Sequence, residues 1–243
     1  MSFDPFEIIP GDAGSGLLLI ADHASARVPE GVDLGIDPAL MREHVAIDIG
    51  VAELGARLCA MLGCPGVLGA VSRLVIDLNR EEDAAGLIPV ASDGHAIPGN
   101  EALDGDARNL RVERYWRPYH ATVAGMIEEG SPRMLISLHS FTPRLASRPE
   151  EQRPWEVGVL YNQDERAARI AMPLLAEAGA IVGDNQPYSG KLLNATMNLH
   201  GEARGIPYLG LEVRQDLIGE GVGVARWAEL LAPVIAKTRD SLA

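Results

Sequence analysis

Four apolar runs in this chain each break off at a cluster of polar, titratable residues. Segments 15–25 (SGLLLIADHAS), 73–79 (RLVIDLN), 133–139 (RMLISLH) and 206–216 (IPYLGLEVRQD) read as short buried strands. They end at Asp22-His23, Asp77-Leu78-Asn79-Arg80, His139-Ser140 and Glu212-Val213-Arg214. Segments 64–71 and 155–161, and a stretch near Ile181, add further strands. Between them the pattern turns helical. Over 37–63, Leu40, Ile47, Val51, Leu54, Leu58 and Met61 recur at helical spacing, with Asp37 as N-cap and Gly63 at the end. Helices are also expected over 105–130, 163–178 and 223–241. Strands alternating with helices predict an α/β fold of three layers: a central mixed, mostly parallel sheet with helices on both faces. Long polar loops remain at 80–104, 141–154 and 184–205. With no internal repeat or low-complexity segment, residues 1–243 are expected to form one catalytic domain.

Charge and composition exclude several classes. The chain has 21 Lys plus Arg against 34 Asp plus Glu, a formal net charge of −13, which opposes nucleic-acid binding. No apolar stretch reaches the roughly 18–20 residues that cross a bilayer. The start, MSFDPFEIIP, lacks the basic and apolar regions of a secretory signal. Cys59 and Cys64 are the only cysteines, too few for a disulfide framework or a four-cysteine metal site. Reduced thiols and a cytoplasmic enzyme acting on a small molecule are expected. Lys191 and Lys237 are the only lysines, so an anionic substrate would be held by arginine.

Ligands of such sheets bind at the carboxyl ends of the strands, which is where the four polar clusters fall. Their residue types suit metal-assisted hydrolysis. Catalytic zinc takes three N or O ligands and leaves a position for water, while a carboxylate receives the water's proton. His23 and His139 are the natural imidazole ligands. Asp48 is the preferred third ligand, four residues after His44 on one face of the expected helix. The alternative is a satisfied His44–Asp48 pair, with Asp22 and Glu30 as reserve ligands. Asp22 could also orient a histidine from behind. Glu212, flanked by Leu211 and Val213, has the surroundings of a general base; the other reading pairs it with Arg214. Arg80 beside Asn79 reads as a clamp for a carboxylate or carbonyl, with Arg214 and Ser140 as further substrate contacts. His200 is a candidate donor to a developing oxyanion. Arg73 reads as a surface ion pair, His120 as a packed core residue and His95 as exposed. The cysteines have no adjacent base, and Ser140 lacks a G-x-S-x-G elbow, so neither is expected to act as nucleophile.

Taken in order, the segments ADHAS, SRLVIDLNR, SDGHAIPGN, LHSFTP, GVLYN, DNQPY, HGEARG and LEVRQD resemble the N-formylglutamate amidohydrolase family, from about residue 16 to 218. That family in turn resembles the zinc carboxypeptidase-like hydrolases. The resemblance implies a phosphorylase/hydrolase-like α/β fold and a zinc-dependent deformylase releasing formate and glutamate. It further implies His23 and His139 on zinc, Asn79 and Arg80 on substrate, and Glu212 as base and proton shuttle. One position departs from the pattern: carboxypeptidases carry a glutamate three residues after the first histidine, where this chain has Ala26. Asp48 is therefore an inference from this chain alone. His and carboxylate ligands also accept other divalent metals. The same features leave open a hydrolase for another N-acyl or N-formimino amino acid or short amide, or a non-catalytic protein binding an acidic metabolite.

Overall fold

A computed structural model describes residues 3–242. The first half runs β1 (Phe6–Ile9), β2 (Leu17–Ala21), α1 (Val51–Leu62), β3 (Gly66–Gly69), β4 (Ala91–Ser92), β5 (His95–Ala96), α2 (Pro98–Glu101), α3 (Gly105–Arg111) and α4 (Arg117–Gly130). The second half runs β6 (Met134–Phe141), β7 (Val157–Leu160), α5 (Arg166–Glu177), β8 (Val182–Asp184), α6 (Ala195–His200), β9 (Tyr208–Arg214) and α7 (Gly221–Ser241). Seven strands form one sheet in the order β1-β3-β2-β6-β9-β7-β8. Neighbours β3, β2, β6 and β9 pair in parallel, as do β7 and β8; β1 on β3 and β7 on β9 are antiparallel.

Both faces of the sheet are buried, which is why its strands read as continuous apolar runs. Leu17, Leu19, Ile136, Leu138, Leu209 and Leu211 pack with α1, α5 and α7 on one side. Leu18, Ile20, Val67, Leu135 and Tyr208 pack with Tyr119, Val123 and Ile127 of α4 on the other. This is the expected three-layer arrangement. None of the described helices is long and apolar enough to cross a membrane.

Two expected elements differ. The helix over 37–63 exists only as α1; residues 38–42 form a 3-10 turn and 43–50 an irregular segment. Gly50 ends that segment at φ 81°, and a Cβ there would stand 2.2 Å from the Ile218 carbonyl oxygen. The segment is tied to the sheet by Asp48 N–H donating to His23 O and by Ser140 Oγ donating to Ile49 O.

Segment 73–79 is not a strand. Leu74, Val75, Ile76 and Leu78 are buried, but the carbonyls of Leu74, Val75 and Leu78 bond to side chains instead of a neighbouring strand. Asn100 Nδ2 donates to Leu74 O, Arg111 Nη1 to Val75 O, and His120 Nε2 to Leu78 O. Those donors stand in for a ladder.

Gly50→Ala should therefore destabilise the fold by about 2 kcal/mol or more, because the new side chain meets both a forbidden φ and a backbone carbonyl. Denaturant unfolding checks this; wild-type stability would show that the turn can relax.

Candidate active site

Strand geometry brings the key side chains to one sheet end. His23 lies just beyond β2, and His139 is near the end of its neighbour β6. In the parallel register of β6 and β9, His139 pairs with Glu212. Asp48 reaches them from the irregular segment before α1, where Ser140 N–H donates to its Oδ2 at 3.3 Å.

One ligand atom from each of His23, Asp48 and His139 lies within 4.8 Å of the others. Asp48 Oδ2 is 2.9 Å from His139 Nδ1 and 3.4 Å from His23 Nδ1. The far side of each ring faces another carboxylate: His23 Nε2 is 2.6 Å from Asp77 Oδ1, and His139 Nε2 is 3.3 Å from Asp22 Oδ2. Asp22 is fully buried and its Oδ1 accepts from Tyr119 Oη and Thr196 Oγ1. Carboxylates behind ligating imidazoles fix ring orientation and raise ligand basicity. His23 Nδ1 is buried without a hydrogen-bond partner, as a nitrogen reserved for a cation would be. Two imidazoles and a carboxylate make a donor set that suits a divalent ion, zinc included.

Electrostatics agree with this arrangement. Burial opposes ionisation of Asp48, yet His23, His139 and Arg73 hold its carboxyl well below the usual range. Burial likewise opposes a charged His139, but hydrogen bonding to Asp22 and Asp48 raises it well above an ordinary imidazole. Glu212 behaves oppositely. Burial, helped by the charge of Asp48, pushes its carboxyl up to about 7 against the pull of His139, Arg73 and His23. Its Oε2 is buried and unpartnered.

These groups line a cavity of about 220 Å³, together with Asn79, Arg80, Ser140 and Tyr188. Asn79 Oδ1 accepts from Thr196 N–H, leaving the amide nitrogen as a donor. The Arg80 side chain is partly exposed, with Nε 3.7 Å from Asp77 Oδ2 and its fork free. The Ser140 hydroxyl donates to Ile49 O, so it braces the Asp48 turn instead of offering substrate a proton.

Five expectations are corrected. His200 is buried, its Nε2 2.9 Å from His120 Nδ1, and it does not line the cavity. Arg214 pairs with Asp216 and with the Pro154 and Trp155 carbonyls, outside the cavity. Glu30 is exposed and away from the triad. His44 does not pair with Asp48; its Nε2 meets Asp93 at 3.0 Å. Arg73, read as a surface ion pair, instead spans Asp48 Oδ1 and Asp77 Oδ2 at 3.0 and 3.2 Å on the cavity wall. Asp77 and Tyr188 were also missed. The i,i+4 spacing of Arg73 and Asp77 was the available signal, obscured by reading the segment as a strand.

The model of the N-formylglutamate amidohydrolase family matches residues 15–219. The chain belongs to that family. Its fold is that of the gene product Atu2144 of Agrobacterium tumefaciens, at 28% identity and TM-score 0.91, with 99% of this chain and 96% of that one covered. It is also similar to an N-formylglutamate amidohydrolase from Ralstonia eutropha, at 21% identity and TM-score 0.80, over 99% and 98% of the two chains. Among curated proteins none matches significantly. The family makes this protein a hydrolase of amide bonds.

If Asp77 orients His23 toward a cation, Asp77→Asn should weaken zinc affinity by about 10–100-fold. Competition with a chromogenic chelator measures this; unchanged affinity would remove Asp77 from that role.

Proposed function

We propose that the protein cleaves the N-formyl amide of N-formyl-L-glutamate, or of a closely related N-acyl amino acid, to the carboxylic acid and the free amino acid. The observation that carries this reading is Glu212: a buried carboxylate with a free oxygen, one strand from His139, on the wall of a cavity that also holds the triad. His23, Asp48 and His139 would hold one divalent cation, with zinc the ion their donor types favour. When bound, that ion polarises the carbonyl and acidifies water.

The remaining work falls to the chain. Glu212, raised to about 7, takes a proton from the attacking water and passes it to the departing amine nitrogen. Water's oxygen joins the formyl carbon, the C–N bond breaks, and formate and an amino group result. Arg73 stays cationic between Asp48 and Asp77 and presents fixed positive charge to the oxygen that becomes negative. Asn79 supplies an amide donor, and Arg80 a guanidinium fork for the substrate's α-carboxylate. The cavity, about 220 Å³, is below the roughly 300–1,000 Å³ of sites for drug-sized ligands, which favours a small acyl group on a single amino acid.

Formate release from N-formyl-L-glutamate, assayed beside elemental analysis, tests the proposal. Wild type should carry about one zinc per chain, and His139→Ala should lose both metal and activity. Metal-free protein that still turns over would overturn the cation's role. Glu212→Gln should retain the metal while kcat falls by about 10²–10⁴-fold.

Because the base must be ionised, kcat/KM should rise with pH along an acid limb. Its midpoint should lie at or below about 7, the level set for Glu212 without a neighbouring cation. A pH–rate profile of wild type checks this, and a midpoint well above 7 would point to another group.

A further inference from the structure

His44 takes no part in the chemistry above, yet it lines the same cavity. Its partner Asp93, at φ 41° in the turn between β4 and β5, fastens two otherwise separate loops. Asp93 Oδ2 accepts from Ala146 N–H at 2.8 Å, and Oδ1 accepts from Ser147 N–H and Oγ at 2.9 and 2.5 Å. Burial works against its charge, but these donors and His44 hold its carboxyl down to about 2. An ionised carboxylate only accepts, so His44 Nε2 carries the proton that Asp93 Oδ2 receives. Nδ1 is then the ring nitrogen left for a ligand. It has no hydrogen-bond partner among the described residues.

Anchorage separates His44 from Arg80, the other group available to a substrate carboxylate. The side chains of His23, Asp48 and His139 are 3%, 3% and 8% exposed, whereas that of His44 is 22% exposed. His44 is thus open to solvent, as Arg80 is at 35% exposure, but it is anchored elsewhere, on Asp93 of the β4–β5 turn. Arg80 lies 3.7 Å from Asp77, which itself holds His23, and so stands beside the reacting centre. An α-carboxylate is attached next to the scissile nitrogen and falls within reach of Arg80. A side-chain carboxylate is several bonds removed from it and needs a second partner elsewhere on the cavity wall, where His44 is anchored.

We infer that His44, oriented by Asp93, binds the side-chain carboxylate of a dicarboxylic N-acyl amino acid and so sets the preference for glutamate-type substrates. This rests on the proposed amidohydrolase reading. Held between Asp93 and the substrate carboxylate, the ring donates one hydrogen bond to each. Asp93 is a positioning residue; it acts through His44.

The test is a comparison of N-formyl-L-glutamate with N-formyl-L-glutamine and with the α-amide isomer, N-formyl-L-isoglutamine. His44→Gln keeps a donor for Asp93 but removes the imidazole nitrogen that faces substrate. It should lose about tenfold or more in kcat/KM on the diacid, through KM, with kcat nearly unchanged. The glutamine derivative should be little affected, so the wild-type preference for the diacid over it collapses. Discrimination against the α-amide isomer should persist. Asp93→Asn should repeat the selective loss. Equal losses on both substrates, or a loss carried by kcat, would overturn the inference and reduce the pair to a fastening between loops. Wild type that is active but indifferent to the side-chain carboxylate would overturn it while sparing the proposed function. Wild type inactive on every N-formyl substrate would overturn both.

Discussion

Burying carboxylates at the end of a sheet is unfavourable unless each negative charge meets a donor or a cation. Asp22, Asp48, Asp77 and Glu212 are all buried here. Asp22 is met by His139, Tyr119 and Thr196, and Asp48 by His139, Arg73 and the Ser140 amide. Asp77 is met by His23, Arg73 and the Asn79 amide. Three carboxylates thus balance two imidazoles and one guanidinium, provided both imidazoles are protonated, and their neighbouring carboxylates do raise both. A divalent cation on neutral imidazoles carries the same charge as those two protons. Exchange of two such protons for the ion would leave the net charge of the cluster unchanged.

Glu212 stands outside that balance. It has no guanidinium of its own, and the β7 residue paired with it, Gly158, has no side chain to supply a donor. Desolvation outweighs the pull of His139, Arg73 and His23 on Glu212, and its proton affinity rises toward neutrality. Paired with an arginine, as the sequence also allowed through Arg214, it would have been a structural carboxylate. Arg214 is instead used by Asp216 and by the carbonyls of the 154–155 segment. Stability is forgone at this residue, which is where a proton carrier needs it forgone.

What could be read from the sequence was what strand ends dictate. His23, His139 and Glu212 each sit at or near the end of a buried run, and parallel pairing brings such ends together whatever the loops do. Asn79 and Arg80 reach the cavity wall although their segment is no strand, because apolar burial carries Leu74 to Leu78 into the core. Asp48 was selected for its chemistry and placed on the wrong backbone. Helical spacing continues from Leu40 through Val51, but the left-handed Gly50 and its contact with Ile218 interrupt it. Nothing local announces that contact, since its partner is far away in the chain.

The parts that stayed hidden share one cause. Arg73 reaches the cavity because segment 72–77 turns back on itself, with Val75 and Ile76 N–H both bonding Ser72 O. That turn persists in the interior because Asn100, Arg111 and His120, from three later elements, satisfy its carbonyls. His120 is committed to that task at Nε2, so its Nδ1 accepts from His200 Nε2, and His200 is thereby drawn behind the wall instead of into the cavity. A residue that looked catalytic is consumed in bonding the histidine that holds a backbone carbonyl, and an arginine that looked like surface is released into the site. Long-range satisfaction of buried backbone groups, which leaves no local pattern in the sequence, decides both.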